Sequence, residues 1–149
     1  MSSIPDYMTV KHRECDDTFA EAESAVAKNN WSLAKEKWQL FTTDLDLHFE
    51  AEETILFPQF EKATGIIAGP TQVMRSEHEQ MRVLVQGLNK ALSENKKDEF
   101  LGLSDTLMVL MQQHNMKEEM MLYPMSQQHI PMELDILKQL KEHCEAVLN

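Results

Sequence analysis

Six polar side chains fall where a helical protein would otherwise carry leucine: His12, His48, Glu52, His78, His114 and Glu118. Four imidazoles and two carboxylates make a mixed nitrogen and oxygen donor set suited to transition-metal ions. The spacing is regular. His12 and His48 are 36 residues apart, as are His78 and His114, and each of His48 and His114 precedes its glutamate by four. Four residues is one helical turn, so each His-x-x-x-Glu pair shares a helix face. Closed zinc sites take about four ligands, so six donors exceed one such ion. Two metal ions sharing the two carboxylates would use all six and leave positions open. Buried at one level without a cation, these groups would cost several kcal/mol in desolvation.

The pattern belongs to an internal repeat. A shift of 66 converts 12, 48 and 52 into 78, 114 and 118, and also carries Glu53 to Glu119, Leu56 to Leu122, Phe57 to Tyr123 and Pro58 to Pro124. The repeat is strong around the candidate ligands and weak elsewhere, as expected of two helical hairpins built on one plan.

The elements that must position these residues are long amphipathic segments. Helices are predicted over about 6–28, 31–62, 70–94 and 98–125. Their seams are Met8, His12, Cys15, Phe19, Ala22, Val26; then Trp31, Ala34, Trp38, Phe41, Leu45, His48, Glu52, Ile55; then Met74, His78, Met81, Val85, Leu88, Leu92; then Leu103, Leu107, Met111, His114, Glu118, Met121. Alternating steps of three and four are what an antiparallel bundle buries. Asn29-Asn30 and Asn95-Lys96-Lys97 mark tight turns, Gly65 and Gly69-Pro70 bracket the middle link, and short links make neighbours antiparallel. The fold expected is an all-α, up-down-up-down four-helix bundle. A fifth amphipathic segment, about 132–148, follows Ile130-Pro131 and carries Leu134, Leu137, Leu140 and Val147. All 149 residues are read as one domain. The midpoints of the two histidine pairs, positions 30 and 96, lie in the two turns, so partners face each other at equal height, roughly 27 Å from the turns at ~1.5 Å per residue.

One His, a His-x-x-x-Glu, another His and a second His-x-x-x-Glu on successive helices resemble the hemerythrin family in its HHE cation-binding branch, over Lys11 to Pro124. The resemblance implies two iron ions bridged by oxygen and by the carboxylates of Glu52 and Glu118, with the four histidines as terminal ligands. It implies a small ligand such as dioxygen, another diatomic or peroxide. Oxygen-carrying members have a fifth histidine one turn after the helix 3 histidine. Here that position is Arg82, which argues for a more open site and against a pure oxygen carrier.

Several residues near the ligands have two readings. Glu53 and Glu119 point about 100° away from Glu52 and Glu118. They are read as solvated carboxylates or orienters of a ligand histidine, with a ligand role as second choice. Cys15 is read as a buried core residue, the alternative being a thiol beside the metals. Met81 and Met111 are core residues and lining for an apolar pocket; Met74 and Met121 lie on the same seams. Tyr123 could donate a hydrogen bond near the metals. Phe57-Pro58 and Tyr123-Pro124 should end or kink their helices. His129 and His143 lie outside the repeat and are read as surface residues.

Net charge is −11, with 25 acidic against 14 basic residues, which disfavours nucleic acid and anionic membranes as partners. Cys15 and Cys144 form no disulfide framework, and Met1 to Val10 lacks the basic and apolar regions of a secretory leader, so a cytoplasmic protein is expected. The fifth segment could cover the metal end or make a contact to a second copy or another protein. None of the six histidines has a Glu three residues before it, which excludes the ferritin-like Glu-x-x-His pattern. Three functions are compatible with these residues: binding of dioxygen or a related ligand for sensing, storage or delivery; a di-iron enzyme acting on peroxide or nitric oxide; and iron storage or sensing.

Overall fold

The computed structural model describes residues 3–146. Helix α1 (Ile4–Ala27) is followed by α2 (Trp31–Ala51), which continues through a π-helical turn (Glu52–Leu56) into α3 (Phe57–Thr64). Helix α4 (Pro70–Ser93) is followed by α5 (Lys97–Lys117), which likewise continues through a π-helical turn (Glu118–Leu122) into α6 (Tyr123–His129). Helix α7 (Glu133–Cys144) closes the described chain. The expected all-helical bundle with an extra C-terminal helix is therefore observed.

Local chemistry sets the ends. Ser3 caps α1 by accepting from the Asp6 amide at 3.1 Å. Asn29 and Asn95 adopt left-handed backbone, φ 59° and 53°, and close the two hairpins. The Asn30 and Lys96 amides reach back to the carbonyls of Ala25 and Ala91 at 2.8 and 2.9 Å. Each turn is the other shifted by 66 residues, so the repeat extends into the backbone. Asn tolerates this conformation better than most residues with a side chain, and the bonds satisfy carbonyls a helix end leaves orphaned. Gly65, at φ 74°, ends α3 in the same way.

The two π turns also correspond under the 66-residue shift, and both immediately precede a Phe-Pro or Tyr-Pro step. Pro58 and Pro124 were expected to end or kink their helices. Instead the helices run on, to Thr64 and His129. A proline lacks an N–H and its ring collides with the carbonyl four residues back; one extra residue in the turn relieves the collision. The Phe57 and Tyr123 amides accordingly bond to Glu52 and Glu118, five residues back.

The extra residue also rotates the helix beyond it. Ile55 is half-buried and Met121 is exposed, while Leu56 and Leu122 are buried. This corrects the expected seams beyond Glu52 and Glu118. Trp31, Val85 and Leu103 are half-buried, nearer the edge of the core than their seam positions imply. The other seam residues are buried.

Two apolar cores flank the polar layer. Toward the hairpin turns, Phe19, Trp38, Phe41 and Phe100 cluster with edge and tilted ring contacts of 5.1–6.2 Å. Toward the other end, Ile4, Met8, Phe57, Phe60 and Tyr123 pack with Ile136, Leu137 and Leu140 of α7. Helix α7 thus covers its own bundle, lying against α1, α2 and the first π turn. Leu134, expected inward, is 69% exposed because the buried stripe of α7 runs through Ile136, Leu137, Leu140 and Cys144. His129 is exposed; His143 is half-buried rather than superficial, and Val147 lies outside the described residues.

Both cysteines are free and buried. Burial, with nearby carboxylates, pushes the Cys15 thiol far up; burial pushes the Cys144 thiol up to about 12. Thiolate is the reactive form. Neither should be alkylated in the folded protein under mildly alkaline conditions that modify both after denaturation. Mass spectrometry checks this, and rapid native labelling of Cys15 would revive the reactive-thiol alternative.

Candidate metal centre

The four helical rods bring His12, His48, Glu52, His78, His114 and Glu118 to one level, and none of the six is more than 5% exposed. The tall helices do this because each histidine pair is equidistant from its turn. Glu52 and Glu118 follow one helical turn later, at the first residue of each π turn.

Within the layer the atoms sort into two groups. Glu118 Oε1 lies 3.0 Å from His12 Nε2, and Glu52 Oε2 lies 3.5 Å from His48 Nε2. The other oxygens turn to the second histidine pair: Glu52 Oε1 is 3.1 Å from His78 Nε2 and Glu118 Oε2 is 3.3 Å from His114 Nε2. Each carboxylate therefore offers one oxygen to each side. Glu52, His78, His114 and Glu118 place one donor atom each within 4.8 Å of one another, as do His12, His48 and Glu118.

These groups can be tested as a cation site by asking which buried atoms lack partners. Glu52 Oε1, His78 Nε2, His114 Nε2 and Glu118 Oε2 are all buried without a hydrogen bond. Glu52 Oε1 faces His78 Nε2 and Glu118 Oε2 faces His114 Nε2 at 3.1 and 3.3 Å, without hydrogen-bond geometry. Four buried polar atoms without partners in one layer are costly for a dry interior and fit a cation.

The outer ring nitrogens are held by carboxylates. His12 Nδ1 donates to Glu119 at 2.6 Å, His78 Nδ1 to Glu53 at 2.6 Å and His114 Nδ1 to Glu77 at 2.9 Å. With a cation bound, a donor at Nδ1 would leave the Nε2 lone pair facing inward, and such partners fix ring orientation. Glu53 and Glu119 thus orient histidines, each across the hairpin boundary. Glu77 was not anticipated: it adjoins His78 in sequence but serves His114, and its other oxygen pairs with Lys117. His48 Nδ1 is orphaned. The repeat explains the difference, because the position equivalent to Glu77 in the first half is Lys11, which pairs with Glu14 at 3.3 Å.

Arg82, at the position of the missing fifth histidine, turns outward. Its guanidinium forks onto both oxygens of Glu53 at 2.9 Å and reaches Glu79 at 2.7 Å. Burial works against ionised Glu53, but His78 and Arg82 outweigh it and hold the carboxyl down at about 2. In the absence of a cation, burial likewise opposes charge on His12 and His78, yet the carboxylates around them push these rings up to about 10 and about 9. Replacing Glu53 with alanine should free His78 and Arg82 together. Metal affinity is expected to fall about 10–100-fold, measurable by chelator competition; an unchanged affinity would deny the orienting role.

Tyr123 is fully buried, and its hydroxyl lies 2.6 Å from Glu52 Oε2, 2.8 Å from Glu118 Oε1, 3.1 Å from His12 Nε2 and 3.3 Å from His48 Nε2. Burial, then Glu118 and Glu52, pushes the phenol well above its ordinary pKa in the absence of a cation. On the turn side of the layer, Cys15, Leu45, Phe49, Met81 and Met111 line a small cavity with His12, His48 and the polar Asp16 and Asn115. Its space is ≈ 10 Å³ for the centre of a water-sized sphere, about one small molecule.

The family model of the hemerythrin HHE cation-binding domain matches residues 3–126, and the chain belongs to that family. Its buried histidine and glutamate cluster fits the metal binding that the family name describes. No curated protein and no solved structure matches the chain. Among the described residues no helix is long and apolar enough to cross a membrane.

Proposed function

We propose that the chain, as one domain, holds two iron ions with His12, His48, Glu52, His78, His114 and Glu118, and that it binds dioxygen or a related small ligand there. The observation that carries this reading is the set of four partnerless atoms on Glu52, His78, His114 and Glu118, residues whose donor atoms lie within 4.8 Å of one another, with each carboxylate divided between two histidine pairs. Glu52 and Glu118 are the bridges in this reading, each giving one oxygen to each ion. The histidines are terminal donors, and Glu53, Glu77 and Glu119 keep three of them aimed. The preference for iron comes from the family and accords with a mixed nitrogen and oxygen donor set.

Bound iron would supply exchange between ferrous and ferric states and open positions for a ligand. The protein supplies the surroundings. The apolar cores above and below exclude bulk water, and the cavity beside Cys15, Met81 and Met111 accommodates a molecule no larger than a few atoms. An uncharged diatomic loses little hydration on entering such a space, whereas a charged substrate would lose much more. This favours a diatomic or peroxide over larger or ionic substrates, in a cytoplasmic setting.

Iron-loaded protein, reduced without air and then exposed to it, separates the functions. A new absorption that reverses on removing oxygen is expected. Prompt irreversible oxidation would contradict reversible binding. Steady oxygen evolution from added peroxide, lost in His48→Ala, would assign the site to peroxide chemistry instead.

A further inference from the structure

The two halves of the repeat differ at one fully buried position beside the site: Phe57 in the first, Tyr123 in the second. Both follow a π turn, and both are placed by the same backbone bond to the glutamate five residues earlier. A π turn stacks residues about five apart, so the turn sets each ring over its glutamate. Phe57 lies beside His78, with ring centroids 5.7 Å apart, and offers no donor atom. Tyr123 places an oxygen among the donors facing His12 and His48.

A neutral phenol has one proton to give and lone pairs to receive. Its oxygen here has four neighbours within 3.3 Å, two of them carboxylate oxygens at 2.6 and 2.8 Å. One proton serves one carboxylate; the second is left facing an oxygen lone pair. The two imidazole nitrogens, His12 Nε2 and His48 Nε2, complete the ring of neighbours at 3.1 and 3.3 Å. The distances have a simpler explanation. Donor atoms at right angles about an octahedral ion, with bonds of ~2.1 Å, lie ~3 Å apart. The four distances from the Tyr123 oxygen straddle that value, and His12 Nε2 to Glu118 Oε1 is itself 3.0 Å. These spacings fit a shared coordination shell.

We infer that the Tyr123 phenolate is a direct ligand of the metal held by His12 and His48, and that the two metal positions are chemically unequal. On binding, the phenol proton leaves to solvent and the oxygen's negative charge faces the cation. The His12 and His48 side then has five protein donor atoms, counting one oxygen from each bridge, and the His78 and His114 side has four. An added anion in a dry site favours the more highly charged state of the metal, so oxidised iron should be held more firmly on the Tyr123 side.

The inference rests on the metal reading above, and one experiment separates the two. The full chain is loaded with iron, oxidised in air, assayed for iron, and studied by visible absorption and resonance Raman spectroscopy, with and without ring-deuterated tyrosine. The expected result is a visible charge-transfer band that enhances tyrosine ring modes, and these modes shift with the label. The chain has two tyrosines, and Tyr7 is engaged with Glu145 at 2.8 Å, so Tyr7→Phe should keep the band while Tyr123→Phe loses it with iron still bound. Bound iron without tyrosine modes, or a band that survives Tyr123→Phe, overturns the phenolate assignment alone. Absence of bound iron overturns the metal reading as well. Should Tyr123→Phe fail to fold, the isotope shift in the unaltered chain decides the matter.

Discussion

Glu118→Ala should empty the site of both metals, taking iron from two ions per chain to nearly none. Glu118 is fully buried, and its two oxygens face different histidine pairs, 3.0 Å from His12 and 3.3 Å from His114. On the two-iron reading, removing it would take a donor from each ion at once, unlike any histidine substitution, which would take a donor from one. His114→Ala should therefore lower iron content less and leave the His12 and His48 side partly loaded. Elemental analysis after gel filtration, with circular dichroism to confirm retained helix, checks the comparison. Two ions retained in folded Glu118→Ala would show that its carboxylate is not a bridge.

The second large effect concerns stability. The polar layer interrupts two apolar cores, and five of its atoms have no partner, four of them on Glu52, His78, His114 and Glu118. Ligands that bind only the folded chain stabilise it by mass action, about 4 kcal/mol at a thousand times the dissociation constant. For a chain of this size each kcal/mol moves the melting temperature by roughly 2–4 °C. Stripping the metals with a chelator should lower the melting temperature on the order of 10 °C, reversed by adding ferrous iron. Glu118→Ala should melt near the stripped protein and respond to neither treatment. Identical melting with and without chelator would mean that the layer is satisfied on its own.

Much of this was legible in the sequence because it depends on long-range arithmetic. Equal spacing of the histidine pairs about Asn29-Asn30 and about Asn95-Lys96-Lys97 fixes their heights, whatever the details of packing. The six side chains therefore converge where the spacing puts them. What escaped was local. Tyr123 reads in sequence as a hydrogen-bond donor near the site, and it is one, but the turn that aims it is not foreseen: a 3.6-residue period places residue 123 about 140° around the helix from residue 118. The π turn before Pro124 brings it back over Glu118, moves Met121 outward and buries Leu122. The doubled Tyr-Pro and Phe-Pro steps are the signal, but in sequence they read as helix ends or kinks. Glu77 escaped for another reason: its partner is on the next helix, and nothing in the spacing around His78 distinguishes a carboxylate turned that way from one in solvent. Arg82 reads as a missing ligand in sequence; in three dimensions it secures the carboxylate that aims His78.

The central claim is that one buried layer holds two separate metal ions. Anomalous diffraction at the iron edge from crystals of the iron-loaded chain tests it most directly. Two peaks are expected within the layer, one beside His12 and His48, the other beside His78 and His114, with Glu52 and Glu118 between them. A lone peak, or iron found only at the surface, would contradict it.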